Sequence, residues 1–186
     1  HETLYLNGSY YKIPAELTIN GDITIDGADK YGVGNSTIDA SEKFRLFNIS
    51  GNCKVTLKNI NLNNSLADDG AAIYIGSDST VSIDSCNFNN NVANYHGGAV
   101  YAESGSKVDV KNSNFTGSFA AFDGGAIYLE DNAQLNVSGC NITGSMAVGG
   151  HGGVISTNNG STVCITDSSI YKSKSRDGGV IFTDND

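Results

Sequence analysis

Asp69-Gly70-Ala71-Ala72-Ile73-Tyr74 recurs as His96-Gly97-Gly98-Ala99-Val100-Tyr101, as Asp123-Gly124-Gly125-Ala126-Ile127-Tyr128, as His151-Gly152-Gly153-Val154-Ile155-Ser156 and as Asp177-Gly178-Gly179-Val180-Ile181-Phe182. The first glycine of the block falls at 70, 97, 124, 152 and 178, a step of about 27 residues. A second block keeps the same step: Val55-Thr56-Leu57, Val81-Ser82-Ile83, Val108-Asp109-Val110, Leu135-Asn136-Val137 and Val163-Cys164-Ile165. Two independent blocks held in one register are the signature of a repeat architecture.

The blocks read apolar-polar-apolar, the period-two pattern of a half-buried strand. No interval between them is long and apolar enough for a crossover helix. Short strands that repeat without helices must stack on their own copies, parallel and about 4.8 Å apart, with each coil touching only its neighbours. The fold class is therefore all-β, a right-handed parallel β-helix (a β-solenoid) with about 27 residues per coil. Its hand follows from the general preference of crossover connections.

Columns then carry the information. Leu46, Ile73, Val100, Ile127, Ile155 and Ile181 form one inward column; Val55, Val81, Val108, Leu135 and Val163 form another; Leu62, Phe88, Phe115, Ile142 and Ile170 form a third. Burying each such side chain contributes roughly 1.5–3 kcal/mol. Thr56, Ser82, Asp109, Asn136 and Cys164 alternate with inward positions and face solvent. The Gly-Gly column marks a bend where a Cβ does not fit or φ is positive. Asn61, Asn87, Asn114 and Asn141, then Ser169, are assigned to one turn position whose stacked amides bond along the column.

Residues 1–45 form irregular N-terminal coils, with Leu17-Thr18-Ile19 and Ile23-Thr24-Ile25 as strands and Asp29 to Ser36 as an inserted loop. Residues 46–186 form the regular coils, with Leu46-Phe47 aligned on Ile73-Tyr74. The last repeat stops within its turn and has no polar cap, so the C-terminus reads as truncated, with flanking coils of a longer chain as its neighbours.

Composition narrows the function classes. Twenty-three Gly, one Pro and 17% charged residues exclude a coiled coil, and 39% hydrophobic residues in regular spacing exclude disorder. A net charge of -9 argues against nucleic acid and against an anionic membrane surface as partners. No apolar run is long enough to span a bilayer, and His1-Glu2-Thr3 has no signal-peptide character.

The Asp-Gly-Gly-Ala-Ile-Tyr repeats at 69–74, 96–101, 123–128, 151–156 and 177–182 resemble those of adhesin-like surface proteins of methanogenic archaea. They are similar also to the repeats of chlamydial polymorphic membrane proteins, whose second motif Phe88-Asn89-Asn90-Asn91 matches once. Residues 17–27 resemble the first coils of the archaeal proteins. The resemblance implies a pectate-lyase-like right-handed β-helix, secretion and a place at the cell surface.

Polysaccharide lyases and hydrolases use the same fold, so function must be argued from the site. Gly150-His151-Gly152 matches one polygalacturonase element and Asp68-Asp69 resembles the paired carboxylates of those enzymes. His151, however, stands three coils from Asp69, about 14 Å at 4.8 Å per coil, and carboxylate pairs in glycosidases sit closer. A lyase needs an Arg base beside a calcium-binding carboxylate cluster, and Arg45 and Arg176 are isolated. No catalytic residue is assigned, and no cofactor.

Three sets of residues remain as candidates. Asp69, His96, Asp123, His151 and Asp177 alternate acid and imidazole in the column before Gly-Gly, as a charge-compensated ladder, a pH sensor or a divalent-metal site; carboxylates on either side favour the imidazolium. Tyr74, Tyr101 and Tyr128 follow Phe47 and precede Ser156 and Phe182 in an outward aromatic column that either stacks on itself or stacks on sugar rings. Asn7, Asn35, Asn63, Asn136 and Asn159 are glycosylation candidates, whereas the sequons at Asn114 and Asn141 belong to the amide ladder. Cys86 and Cys140 share a column two coils apart, so a disulfide between them is geometrically unfavourable; Cys53 and Cys164 fall in other columns.

The sequence thus points to an extracellular, cell-surface adhesin-like segment or stalk, with glycans or surface proteins of another cell as partners. A carbohydrate-active enzyme and a purely structural envelope component are the alternatives.

Overall fold

A computed structural model describes residues 2–184, and all regular structure in it is β. The chain winds through four parallel sheets in the order A, B, C, D and then returns to A one coil further on, the first two coils passing from B directly to D. Sheet A stacks Glu2–Tyr5, Ile23–Asp26, Lys54–Lys58, Thr80–Asp84, Lys107–Lys111, Gln134–Ser138 and Thr162–Thr166. Sheet B stacks Tyr10–Lys12, Ser36–Asp39, Ile60–Asn63, Asn87–Asn89, Asn114–Thr116, Asn141–Thr143 and Ser169–Tyr171. The shorter sheet C holds Leu66–Ala67, Val92–Ala93, Phe119–Ala120, Met146–His151 and Lys174–Asp177. Sheet D holds Leu17–Ile19, Phe47–Ile49, Ile73–Ile75, Val100–Ala102, Ile127–Leu129, Ile155–Thr157 and Ile181–Thr183. This is the parallel β-solenoid expected from the repeats.

The register follows the sequence columns. Val81 pairs with Val55 on one side and Val108 on the other, and Leu135 and Val163 continue the series. Phe88 lies between Leu62 and Phe115, with the Phe88 and Phe115 rings stacked at 4.3 Å and 3°. These columns are buried through the middle of the stack and form one continuous core.

Each corner of the coil is turned by one residue in the left-handed region. Gly70, Gly97, Gly124, Gly152 and Gly178 turn from sheet C to D, with φ of 53–63°. Asn59, Ser85, Asn112, Gly139 and Asp167 turn from A to B, while Asn64, Asn90, Gly117, Gly144 and Lys172 turn from B to C. Asn52, Asp78, Gly105, Asn132 and Gly160 complete the circuit from D to A. Gly, Asn and Asp fill most of these positions because they tolerate positive φ at least cost. The second glycine of the pair has another role. A Cβ on Gly98 would lie 2.2 Å from the Gly125 carbonyl oxygen, and one on Gly125 equally close to that of Gly153.

Two sequence assignments are corrected. Phe47, not Leu46, pairs with Ile73, and Asn48 pairs with Tyr74; Phe47 is therefore an inward residue, 1% exposed, and not the start of the tyrosine column. Both Leu46 and Phe47 are buried, so apolarity alone did not fix the register there. Asn61, Asn87 and Asn114 lie within sheet B and not at a turn. Three of the amides bond along the column as expected, Asn87 donating to Asn61 at 2.8 Å and Asn114 to Asn87 at 2.7 Å, and Asn141 and Ser169 continue the column within the same sheet.

Before residue 46 the strands pair in the same sheets, but the steps vary. Glu2 pairs with Ile23 and Ile23 with Val55, steps of 21 and 32 residues. The long step holds the inserted loop between sheets A and B. There the Asp29 carboxylate accepts the N–H groups of Tyr31 and Val33 at 2.8 and 2.9 Å.

Candidate functional site

The corner between sheets C and D carries the acid–imidazole column. Aspartate in one coil is followed by histidine in the next, so stacking sets each imidazole between two carboxylates. The Asp69 Oδ1 accepts both the backbone N–H of His96 and its ring Nδ1, each at 3.0 Å. On the other side His96 Nε2 faces Asp123 Oδ2 at 3.5 Å. One step on, Asp123 Oδ1 accepts the His151 N–H at 2.7 Å and contacts its Nδ1 at 3.0 Å, and His151 Nε2 faces Asp177 Oδ2 at 3.4 Å. The five predicted residues are thus brought together as one ladder, with Arg176 joining Asp177 at 3.0 Å.

The electrostatics follow from this sandwich. The Asp123 hydrogen bond, opposed by partial burial and joined by that of Asp69, raises the His96 pKa above the ordinary imidazole value. Burial pushes the Asp123 carboxyl up, but His96, the His151 N–H and the charges of both imidazoles outweigh it and hold the carboxyl below its usual range. Both ring nitrogens of each histidine already face carboxylates, so a metal would have to displace an existing contact. No group of three or more His, Cys, Asp or Glu among the described residues is arranged to hold a metal ion.

The tyrosine column runs beside the ladder. Tyr74 and Tyr101 stack at 5.2 Å and 7°, and Tyr101 and Tyr128 at 5.3 Å and 15°. Arg45 covers Tyr74 at 4.9 Å, and His96 packs on Tyr128 at 4.8 Å. Ring faces are therefore occupied by protein, and Tyr128 is only 8% exposed. The hydroxyls are held too: Tyr74 donates to Glu103, Tyr101 to Glu130, and Tyr128 to Asn158 at 2.8 Å. Burial, then the charge of Glu130, pushes the Tyr128 hydroxyl up to about 12; burial and the neighbouring glutamates raise Tyr74 and Tyr101 as well.

Sequence reasoning missed a second pair of rings. Tyr95 and Phe122, each one residue before the ladder, are 48% and 46% exposed and stack on one another at 6.0 Å. Their separation of 27 positions was the signal available in the sequence. Asp68 and Asn94 lie beside them, joined by an amide–carboxylate bond of 3.0 Å. In the next coil Val148, 50% exposed, sits in a strand whose pairing shifts between Ala147 and His151.

Of the glycosylation candidates, Asn7, Asn35, Asn136 and Asn159 are exposed. Asn136 donates to Asp109 at 2.8 Å, and Asn63 is half-buried and accepts from Asn89 at 2.8 Å. The four cysteines are free thiols, three buried and Cys164 exposed; burial pushes the Cys86 thiol up to about 12. A shallow groove of about 370 Å³ beside Lys12, Ile13, Lys43 and Phe44 shares no residue with the ladder.

Known proteins resemble this chain locally. The Chlamydia polymorphic membrane protein (Chlamydia_PMP) repeat matches residues 85–103, one stretch that contains Tyr95, His96 and Gly97-Gly98. No curated protein and no solved structure matches the chain. What the chain shares with that repeat is thus one stretch, which bears His96 of the ladder.

Proposed function

We propose that the chain is a segment of an adhesin-like cell-surface protein, in which the solenoid is a stiff shaft and one lateral corner is a contact face. The observation that carries this reading is the placement of exposed Tyr95, within the stretch that matches the Chlamydia repeat, and of Phe122 one coil further on, beside the acid–imidazole ladder. That repeat is found in outer-membrane surface proteins, which supports an exported, cell-surface location. Asp, Asn, Tyr and Phe side chains on a rigid corner are suited to holding a partner without chemistry, because rigid aromatic anchors lose little entropy on binding.

The test is adhesion. Beads coated with the 186-residue chain are presented to intact cells and to immobilised polysaccharides, with a reducing-sugar assay run on the same polysaccharides. Retention of beads without release of reducing ends supports the reading. Polysaccharide cleavage by the purified chain overturns it in favour of a carbohydrate-active enzyme, and absence of retention on every surface overturns it in favour of a structural envelope component.

A further inference from the structure

We infer that the corner formed by Asp68, Asn94, Tyr95, His96 and Phe122 is a saccharide-binding subsite, selective for neutral or amine-bearing sugars over acidic ones. This rests on the adhesin-like reading and specifies its ligand class. A sugar needs an accessible aromatic surface for its C–H face and planar polar groups beside it for its hydroxyls. Tyr74, Tyr101 and Tyr128 lack the first, because their faces and hydroxyls are engaged by protein. Tyr95 and Phe122 keep nearly half their surface open.

The polar groups are in place. Asp68 and Asn94 are exposed and already oriented by their mutual bond and by the Tyr95 N–H, which donates to the Asp68 carbonyl at 2.8 Å. His96, held between its two carboxylates, lies 6.3 Å from the Tyr95 ring and 6.1 Å from that of Phe122. A donor-and-acceptor rim already oriented around two rings lowers the ordering cost of binding.

Charge selects among sugars. Asp68, Asp69 and Asp123 outnumber His96, the one imidazole set between the latter two, at this corner of a chain whose net charge is -9. Sialylated, sulfated or uronate-bearing glycans are repelled, while hexoses are tolerated and protonated hexosamines attracted. A protein partner fits less well. Its interface needs roughly 800 Å² per side around an apolar centre, whereas this aromatic ridge is one residue wide and bordered on one side by the Asp–His column.

The experiment uses the full chain on an array of neutral, hexosamine-bearing, sialylated and uronate-bearing oligosaccharides, with Tyr95→Ser/Phe122→Ser and Tyr101→Phe variants beside it and thermal unfolding as the fold control. The expected result is binding to neutral or hexosamine oligosaccharides, weakened about tenfold or more by the double variant and unchanged by Tyr101→Phe. Equal binding by the double variant, or preference for acidic glycans, overturns the subsite. Beads that hold cells while the array shows no glycan bound overturn the ligand class, indicate a protein partner and leave the adhesin-like reading standing. Should neither cells nor glycans be held, both fall.

Discussion

The Asp69 Oδ1 accepts two hydrogen bonds from one residue, the backbone N–H and the ring Nδ1 of His96, both at 3.0 Å. Asp123 does the same for His151. One carboxylate oxygen therefore pins the backbone of the next coil and the orientation of its imidazole together. The second nitrogen is left pointing at the carboxylate of the coil beyond.

This geometry fixes a pH dependence. The groups around His96 are Asp69, Asp123, Tyr95, Phe122 and Tyr128. Because the folded pKa of His96 is raised, its contribution to stability is complete below the ordinary imidazole value of about 6.5 and fades as pH rises through the folded value. Asp123 has a lowered pKa, so its contribution is present above the ordinary carboxyl value and fades as pH falls through the folded one. The unfolding-midpoint difference between the native chain and His96→Gln should therefore be larger at mildly acidic pH than at pH about 8.5. A difference that grows with pH, or an NMR titration placing His96 at or below about 6.5, contradicts the ladder.

In the core, Phe88 is fully buried and stacked on Phe115 at 4.3 Å. Phe88→Ala should cost about 3–5 kcal/mol, measured by denaturant unfolding, because coils above and below cannot collapse into the gap without breaking their ladders.

Gly98 and Ala71 occupy the same place in successive coils, yet they differ in tolerance. A Cβ on Gly98 would meet the Gly125 carbonyl oxygen at 2.2 Å and that of Phe119 at 2.5 Å. Gly98→Ala should cost at least the 1–3 kcal/mol or so typical of overpacking, whereas Ala71→Gly should change stability by about 1 kcal/mol or less. Calorimetry on both variants checks the contrast.

Ser118 and Ser145 are buried with hydroxyls that have no partner among the described residues, in a column where Ser65 donates to Asn91 at 2.7 Å. Replacing an unsatisfied buried hydroxyl with a methyl removes a desolvation cost of about 1–3 kcal/mol. Ser118→Ala and Ser145→Ala should each leave stability unchanged or raise it, and Ser65→Ala should lower it. Melting temperatures of the three variants give the answer.

Most of the architecture was legible because the repeat aligns on itself. Val55, Val81 and Val108 are neighbours because each sits one coil-length from the next, and no other signal was needed. Register failed at Leu46 and Phe47, where two adjacent apolar residues erase the alternation that distinguishes inside from outside. Asn61 and Asn87 were misplaced because asparagine serves two purposes in this chain. It builds amide ladders within sheet B and turns corners at positive φ, as at Asn59 and Asn112, and composition cannot separate these roles. The Asp–His ladder was visible as a column, but Tyr95 and Phe122 stand outside the glycine block, and their 27-residue spacing does not reveal their exposure, a property of packing.

Everything functional here depends on positions one coil apart being vertical neighbours in solution. Methyl NOE spectroscopy on the full chain tests this most directly. Cross-peaks are expected between the methyl groups of Val81 and Val108 and between those of Val108 and Leu135, as the paired strands require, with none between Val81 and Leu135. Absence of the first two, or a strong Val81–Leu135 contact, would contradict this stacking.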